Sequence, residues 1–406
     1  MKTEKASASP RTARTINNRL VLDLLHRQGS MTAAQVRKLT GLSRATISDL
    51  LARLQDDGLI EVRGASDAVQ PGPNARLYQL QAGRAHVIGV DARTDSVSIG
   101  AADLAGNRLP DRRLPLAGTG DLGEFIADVV QVVRRTSLES FDQDPHTIAV
   151  GAPGVVDPGT GALRSTGWPP EWHAEMVAAL RSAFRATVLV ENEVNLAAIA
   201  EHRLGVARDR ETFALLWLGH GVGAGLLLDG RLRRGESGGA GEVGFLAVPD
   251  RSGGASARER LSLEERPALQ ERLPGLHGLA GAEPVRELAR RHGLDVPSGD
   301  AVQAAAQVVA RAAEDGQPFL DELAGTIADG VLALCVVLDP GCVVLGGEIG
   351  RAGGPALAAR VAAAVGRLSP IPLSIRVSEV ADNAVLAGAV LTALDHAHDE
   401  LFGPPQ

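Results

Sequence analysis

The sequence predicts an α/β protein in two parts, a small helical head with a β-hairpin behind it and a larger body of alternating strands and helices. Three observations carry that prediction. Residues 32–62 (TAAQVRKLTGLSRATISDLLARLQDDGLIEV) hold apolar residues at helical spacing on both sides of a glycine turn. From Ala85 onward, apolar strands such as HVIGVDA, HTIAVGAPGVV and GCVVLGGEIG alternate with helical stretches. Finally, 406 residues with 45% hydrophobic content exceed what one small module can bury.

The head reads in order as three helices and a wing. Ile16, Leu20, Leu24 and Leu25, with Val21 close by, mark the first helix. Ala33, Val36 and Leu39 mark the second, and Gly41 allows the sharp turn that follows. Ser43 stands where an N-cap is wanted, its hydroxyl able to accept from a free amide of the first turn, and Gly58 is placed to end the helix. The third helix is therefore expected over about 44–57, with its apolar stripe at Ile47, Leu50, Leu51 and Leu54. Residues 59–62 and 76–80 (RLYQL) read as two strands joined by the polar loop GASDAVQPGPN. Together these elements form a winged helix-turn-helix.

Such a module places its second helix-turn-helix helix N-terminus first into the major groove of duplex DNA. On that reading Ser43, Arg44, Ala45, Thr46 and Ser48 reach base edges, with Arg44 and Thr46 foremost. Arg37, Lys38, Arg53, Arg63 and Arg76 suit phosphates, which fix register without reading sequence. Charge agrees once it is divided by region. Residues 1–63 carry eleven Lys or Arg against six Asp or Glu, a net of +5 in a chain of net −8. A basic head on an acidic body confines nucleic-acid binding to the head. Aromatics make up only 3% of residues, which argues against single-strand binding by base stacking.

No apolar run reaches membrane-spanning length, and the polar start MKTEKASASPRTARTINN lacks the apolar core of a secretory signal, so a cytoplasmic protein is expected. The two cysteines, Cys335 and Cys342, lie in apolar stretches as small buried hydrophobes, and no disulfide or metal pair is assigned to them.

In the body, HVIGVDA and SVSIGAADL are followed by a helix near 122–139 and then by HTIAVGAPGVV. A second round begins with TVLVENEVNLAAIAEHRLG and ALLWLGHGVGAGLLLDGRLRRG and continues through ADGVLALCVVLDPGCVVLGGEIG. Two α/β halves follow one another. VIGVDA and VVLGGE end in small residues, the arrangement that lets backbone amides approach a ligand at the carboxyl end of a sheet, so a cleft between the halves is expected.

GVDA at Gly89, GAPGVVDPGTG from Gly151, ENEVNLAAIAEHRLG from Glu191 and LGHGVGAGLLLDGRLRRGESGGAGEVG from Leu218 resemble the ROK family of sugar kinases and sugar-responsive repressors. The resemblance covers nearly the whole chain, because the repressor branch carries a winged helix-turn-helix before its body. It implies an actin-like ATPase fold of the sugar-kinase and Hsp70 type. The implied domains are a head over 1–82, a small α/β subdomain over 85–190 with a returning C-terminal helix over 383–398, and a large subdomain over 191–382 for effector binding and oligomerisation.

Departures from the family pattern bear on mechanism. Kinases of the family resemble Asp-x-Gly-Gly-Thr at the first phosphate loop, where glycines let amides close on phosphate oxygens. Here the stretch is Asp91, Ala92, Arg93, Thr94, Asp95. The second phosphate loop usually reads Gly-Thr-Gly and here reads Gly219, His220, Gly221. The catalytic aspartate of Glu-Asn-Asp-Ala-Asn is replaced by Glu193 within Glu191, Asn192, Glu193, Val194, Asn195. That carboxylate is one methylene longer, and a displacement of about 1 Å can cost on the order of 100-fold in rate. An acidic helix start favoured by the dipole also accounts for Glu191 and Glu193. The family's zinc site, a His and three Cys, falls without gaps on Phe245, Ala255, Ala257 and Ser262, so no zinc and no cofactor are expected.

What the resemblance leaves is a partial sugar pocket of Gly154, Asn192, Glu193, Glu242 and Glu264, with Phe245 able either to lie on a sugar's C–H face or to fill core. Trp168 and Trp172 read as packing residues, and His173, His202 and His220 as isolated side chains. The expected function is a DNA-binding regulator, a repressor of carbohydrate-related genes, controlled by a sugar or sugar derivative and without kinase activity. A homodimer or homotetramer would read an inverted repeat in operator DNA, with residues 81–84 as the linker that transmits closure of the cleft. Two alternatives stand beside it: an active sugar kinase carrying a DNA-binding head, and a regulator that no longer responds to sugar.

Overall fold

A computed structural model describes residues 10–65, 76–116, 121–164, 172–249, 275–316, 318–380 and 383–403. The head opens with α1 (Pro10–Gln28), a two-residue strand β1 (Met31–Thr32), α2 (Ala33–Thr40) and α3 (Arg44–Asp56). Strands β2 (Ile60–Ala65) and β3 (Arg76–Leu80) complete it in a sheet of order β1-β3-β2, both pairings antiparallel. The wing loop over 66–75 lies outside the described residues.

Local chemistry explains where these helices start and stop. Thr32 and Gln35 form a reciprocal capping box at the start of α2, satisfying two amides that the helix itself cannot. Gly41 ends α2 in the left-handed region at φ 70°. Ser43 caps α3 by accepting from the Thr46 amide at 3.1 Å. Ile47, Leu50, Leu51 and Leu54 of α3 are buried, as are Val21, Leu22 and Leu25 of α1 and Val36 of α2, and both helices contact α3. Two expected core positions are corrected: Leu20 is 39% and Leu39 51% exposed. The inward face of α1 is set by Val21, Leu22 and Leu25, and α2, only two turns long, contributes Val36 alone.

The body contains two five-stranded sheets. The first is formed by β4 (His86–Ala92), β5 (Ser96–Asp103), β6 (Arg112–Pro115), β7 (Thr147–Ala152) and β10 (Thr187–Asn192), in the order β10-β7-β4-β5-β6. A two-stranded ribbon, β8 (Val155–Val156) and β9 (Leu163–Arg164), follows β7. The second sheet is formed by β11 (Phe213–Leu218), β12 (Val222–Leu228), β13 (Arg231–Leu232), β14 (Cys342–Gly346) and β15 (Ser374–Val377), in the order β13-β12-β11-β14-β15. Each sheet thus has a three-strand meander on one side and two later strands on the other, the repeat expected of two related halves. The helices are α4 (Leu122–Phe141), α5 (Trp172–Ala183), α6 (Glu193–Leu204), the single turn α7 (His277–Ala280), α8 (Ala282–Arg291), α9 (Ala301–Asp315), α10 (Phe319–Leu338), α11 (Gly347–Leu368) and α12 (Ala384–Phe402).

The chain divides into two compact units. One comprises Met1–Val150, Pro170–Leu189 and Ala389–Gln406, so the head, most of the first sheet and the end of α12 belong together. Within it Gly89 is required: a Cβ there would sit 2.6 Å from Cγ2 and 2.8 Å from the amide of Val390, so α12 approaches β4 only because no side chain intervenes. Arg19 of α1 donates to Asp399 at 2.7 Å and to the Gly403 carbonyl at 2.6 Å. His26 meets the His398 ring edge-on at 4.7 Å, and His398 stacks on Phe402.

The second unit comprises Gly151–Pro169 and Val190–Gly388. Its core joins Leu216, Val343 and Leu345 of the sheet to Leu323, Ile327 and Val331 of α10 and to Leu357 and Val361 of α11. Cys335 and Cys342 are both buried, with their thiol pKa values raised first by that burial. Among the described residues no helix is long and apolar enough to cross a membrane.

Candidate DNA interface and effector site

The helix-turn-helix presents Arg37 and Lys38 in the last turn of α2, and Ser43, Arg44, Ala45, Thr46 and Ser48 at the start of α3, all exposed. Arg63 and Arg76 are exposed on the wing strands. Cap formation occupies part of this surface, because the Ser43 and Thr46 hydroxyls lie 2.8 Å apart and share a hydrogen bond. Arg53 is half-buried and pairs with Asp49 at 3.5 Å.

In the second unit, the start of α6 organises a polar site. Asn192 caps the helix, its Oδ1 accepting from the amides of Val194 at 2.8 Å and Asn195 at 3.2 Å. Its Nδ2 donates to the Gly154 carbonyl at 3.0 Å, which fixes the loop after β7 against the helix start. Glu193 occupies the first turn. Glu191, only 5% exposed, is fully engaged: it accepts from Asn195 Nδ2 at 2.9 Å, from the Asn192 amide at 3.0 Å and from Arg234 Nε at 2.5 Å.

Through Arg234 the loop after β13 is tied to the same point. Gly238, at φ 84°, would bring a Cβ to 2.0 Å from the Val156 carbonyl, so only glycine lets this loop lie on β8. Farther along the loop, Glu242 precedes the short helical turn Val243–Phe245. Burial raises its pKa, and among the described residues its carboxylate has no hydrogen-bonding or ionic partner. Gly154, Asn192 and Glu193 are thus linked by direct bonds and chain continuity, and Glu242 lies farther along the loop that Arg234 ties to Glu191. Phe245 is 69% exposed, which excludes the core-filling alternative. Ala255, Ala257, Ser262 and Glu264 lie outside the described residues, as does Trp168. Trp172 is buried and stacks on His173, as a packing residue does.

Three side chains of this unit that bear on the family's motif positions are not marked in the sequence. Arg234 is one of two adjacent arginines, and nothing local says which of them meets Glu191, 43 residues away. Glu348 opens α11, its Oε2 2.9 Å from where a Cβ on Gly219 would stand. His277 lies against the same turn: a Cβ on Gly221 would be 2.8 Å from its Nδ1. Burial first, and His220 second, lower the His277 pKa. In the first unit, the stretch Asp91–Asp95 forms the β4–β5 turn, closed by the Arg93 amide donating to the Ser96 carbonyl at 2.9 Å. Arg93 Nε also donates to the buried Asp91 carboxylate at 3.1 Å. Among the described residues no three His, Cys, Asp or Glu side chains are grouped to hold a metal ion.

A winged helix followed by two five-stranded sheets of matching strand order defines a winged-helix head on an actin-like, sugar-kinase-type body. The chain belongs to the ROK family, which matches residues 87–396, and residues 15–68 match the MarR family. It is similar to the N-acetylglucosamine repressor of Shigella flexneri, at 27% identity over 242 residues, covering 57% of this chain and 57% of that protein. The matched stretch is therefore less than two thirds of that relative's length. A crystal structure of a ROK family transcriptional regulator, homologous to the E. coli MLC protein, is similar over 96% of this chain and 98% of its own, with a TM-score of 0.72 and 21% identity. A ROK hexokinase from Thermus thermophilus is similar over 77% of this chain and 99% of its own, with a TM-score of 0.60 and 25% identity.

Proposed function

We propose that this chain is a transcriptional repressor of carbohydrate-related genes that binds operator DNA through its winged helix and a sugar or sugar derivative through its ROK body. The observation that carries the reading is the exposed, basic helix-turn-helix surface around Arg44, built onto a ROK body in one chain. The similarity to a ROK regulator over 96% of the chain supports it, whereas the hexokinase is similar over only 77%. Arg44, Thr46 and Ser48 face base edges, while Arg37, Lys38, Arg53, Arg63 and Arg76 serve phosphates. Two copies of the head read an inverted repeat as a homodimer or within a homotetramer.

The effector is held by Asn192, Glu193, Glu242 and Glu264, with Gly154 on the approaching loop and Phe245 against the sugar's C–H face. A partly buried carboxylate that has no partner among the described residues, such as Glu242, suits a hydroxyl ligand, because a donor that arrives there compensates its burial. Kinase activity is not part of this reading. Glu348 beside Gly219 puts a carboxylate at the second phosphate loop, and the Arg93–Asp91 pair occupies the first loop's turn with side chains in place of open amides. No zinc is held at Phe245, Ala255, Ala257 and Ser262, which offer neither imidazole nor thiolate.

The test is selection from random duplexes followed by titration. Wild-type protein selects an inverted repeat, Arg44→Ala weakens binding to it by about 10-fold to 100-fold, and no ATP turnover appears with a hexose panel. Failure to select any sequence, or phosphorylation of a sugar, overturns the proposal.

A further inference from the structure

On α3 the exposed face continues past Arg44 through Ala45, Ser48, Asp49 and Ala52. Asp49 is the one carboxylate in the part of the helix that leads into a groove, since Asp56 closes its last turn. Its side chain is 72% exposed. A carboxylate facing a polyanion is repelled unless it accepts a hydrogen bond that only some bases offer. In the major groove, the exocyclic N4 amino group of cytosine offers that donor to Asp or Glu.

The neighbours of Asp49 favour this role. On a helix surface the adjacent positions are three and four residues away, here Ala45, Thr46, Ala52 and Arg53. Ala45, Thr46 and Ala52 are small, so none of them holds the carboxylate back from a base edge. Arg53, one turn later, approaches it through Nη1 at 3.5 Å, an ion pair. The guanidinium is therefore placed to offset part of the charge of Asp49.

Resting on the DNA-binding reading above, we infer that Asp49 is a specificity-determining residue that accepts a hydrogen bond from a cytosine amino group in each operator half-site. Asp49 lowers affinity for DNA in general and restores it at one base pair. Removing the carboxylate then relaxes sequence preference at that pair and strengthens non-specific binding, the opposite of what loss of a phosphate contact does.

The experiment is selection of the full-length wild type, Asp49→Ala and Asp49→Asn on a random-sequence duplex library, with anisotropy titration on the enriched sites. The wild type is expected to require cytosine at one position of each half-site, by about 10-fold to 100-fold over other bases. Asp49→Ala is expected to lose that requirement while binding random duplex more tightly. Asp49→Asn, whose amide pairs with adenine N6 and N7, is expected to shift the preference to adenine. Both variants replace an exposed side chain, and unchanged thermal unfolding confirms that they fold. An enriched wild-type motif that persists unchanged in both variants overturns the inference and leaves the DNA-binding reading standing. Absence of any enriched motif in the wild type overturns that reading and the inference with it.

Discussion

Ser43 shows how much one side chain carries. Its hydroxyl satisfies the Thr46 amide and orients the Thr46 hydroxyl, so the first turn of α3 is held by the residues that would meet DNA. Ser43→Ala should cost about 1 kcal/mol of stability, read as a lower midpoint in urea unfolding, while Ser43→Asn or Asp should restore most of it. Glu191 plays the corresponding part in the body. Arg234→Ala leaves its buried carboxylate without a cation and should destabilise the protein by about 1 to 2 kcal/mol. That is less than for a fully buried pair, because the arginine side chain is 44% exposed. Read from the sequence, Glu191 was either a family motif residue or an acid placed for the helix dipole. Its clamp role was not legible, because an ion pair spanning 43 residues leaves no local pattern.

Histidines in the first unit give a prediction with a definite sign. His86 is fully buried, stacked on Phe141 at 4.1 Å, and burial lowers its pKa from 6.5 to about 4. His398, also buried, is lowered to about 4 for the same first reason. Both are held neutral by the fold and take up protons more readily when unfolded. Their contribution to stability is therefore intact above about pH 6.5 and is lost as pH falls toward about 4. Thermal melts should show the midpoint falling across that window, and His86→Leu should flatten part of the fall. A midpoint independent of pH between 6.5 and 4 would contradict the burial argument.

At the scale of elements, α1 and α12 are joined through Arg19, which is bonded to Asp23, Asp399 and the Gly403 carbonyl and lies 6.0 Å over the Phe402 ring. Arg19→Ala should cost about 1 to 3 kcal/mol. Limited proteolysis within 10–28 should become faster if this anchorage holds α1 in place. The helices and the wing were legible because helical spacing, a glycine turn and a serine cap all fall in one short stretch. What was not legible follows from the same logic. Met31–Thr32 is too short a strand to show alternation, and it exists because Tyr78 and Leu77 of β3 pair with it. Leu20 and Leu39 fit a helical stripe in sequence, yet the inward arc of each helix is narrower than its apolar spacing suggests. Phe245 could not be placed by type alone, since an aromatic residue suits a core or a ligand face equally. Its exposure excludes the core.

For the molecule as a whole, the division of charge and the order of parts together suggest separate output and input. The basic head carries the exposed residues suited to DNA, and the second unit carries Glu242 and its neighbours suited to hydroxyls. A ligand can alter DNA affinity only through a difference in its affinity for the DNA-bound and DNA-free arrangements of the protein. The same linkage makes an effector detectable without DNA, because a ligand at 100 times its dissociation constant stabilises the protein by about 2.7 kcal/mol.

The most direct measurement is anisotropy titration of the full-length protein on its selected inverted repeat at fixed salt, with and without millimolar hexoses, pentoses, N-acetylated amino sugars and their phosphates. The account predicts that one sugar class weakens operator binding at least 10-fold and that Glu242→Gln or Asn192→Ala abolishes the response while operator affinity without sugar is retained. Operator affinity unchanged by every sugar, with no thermal shift from any of them, would contradict it.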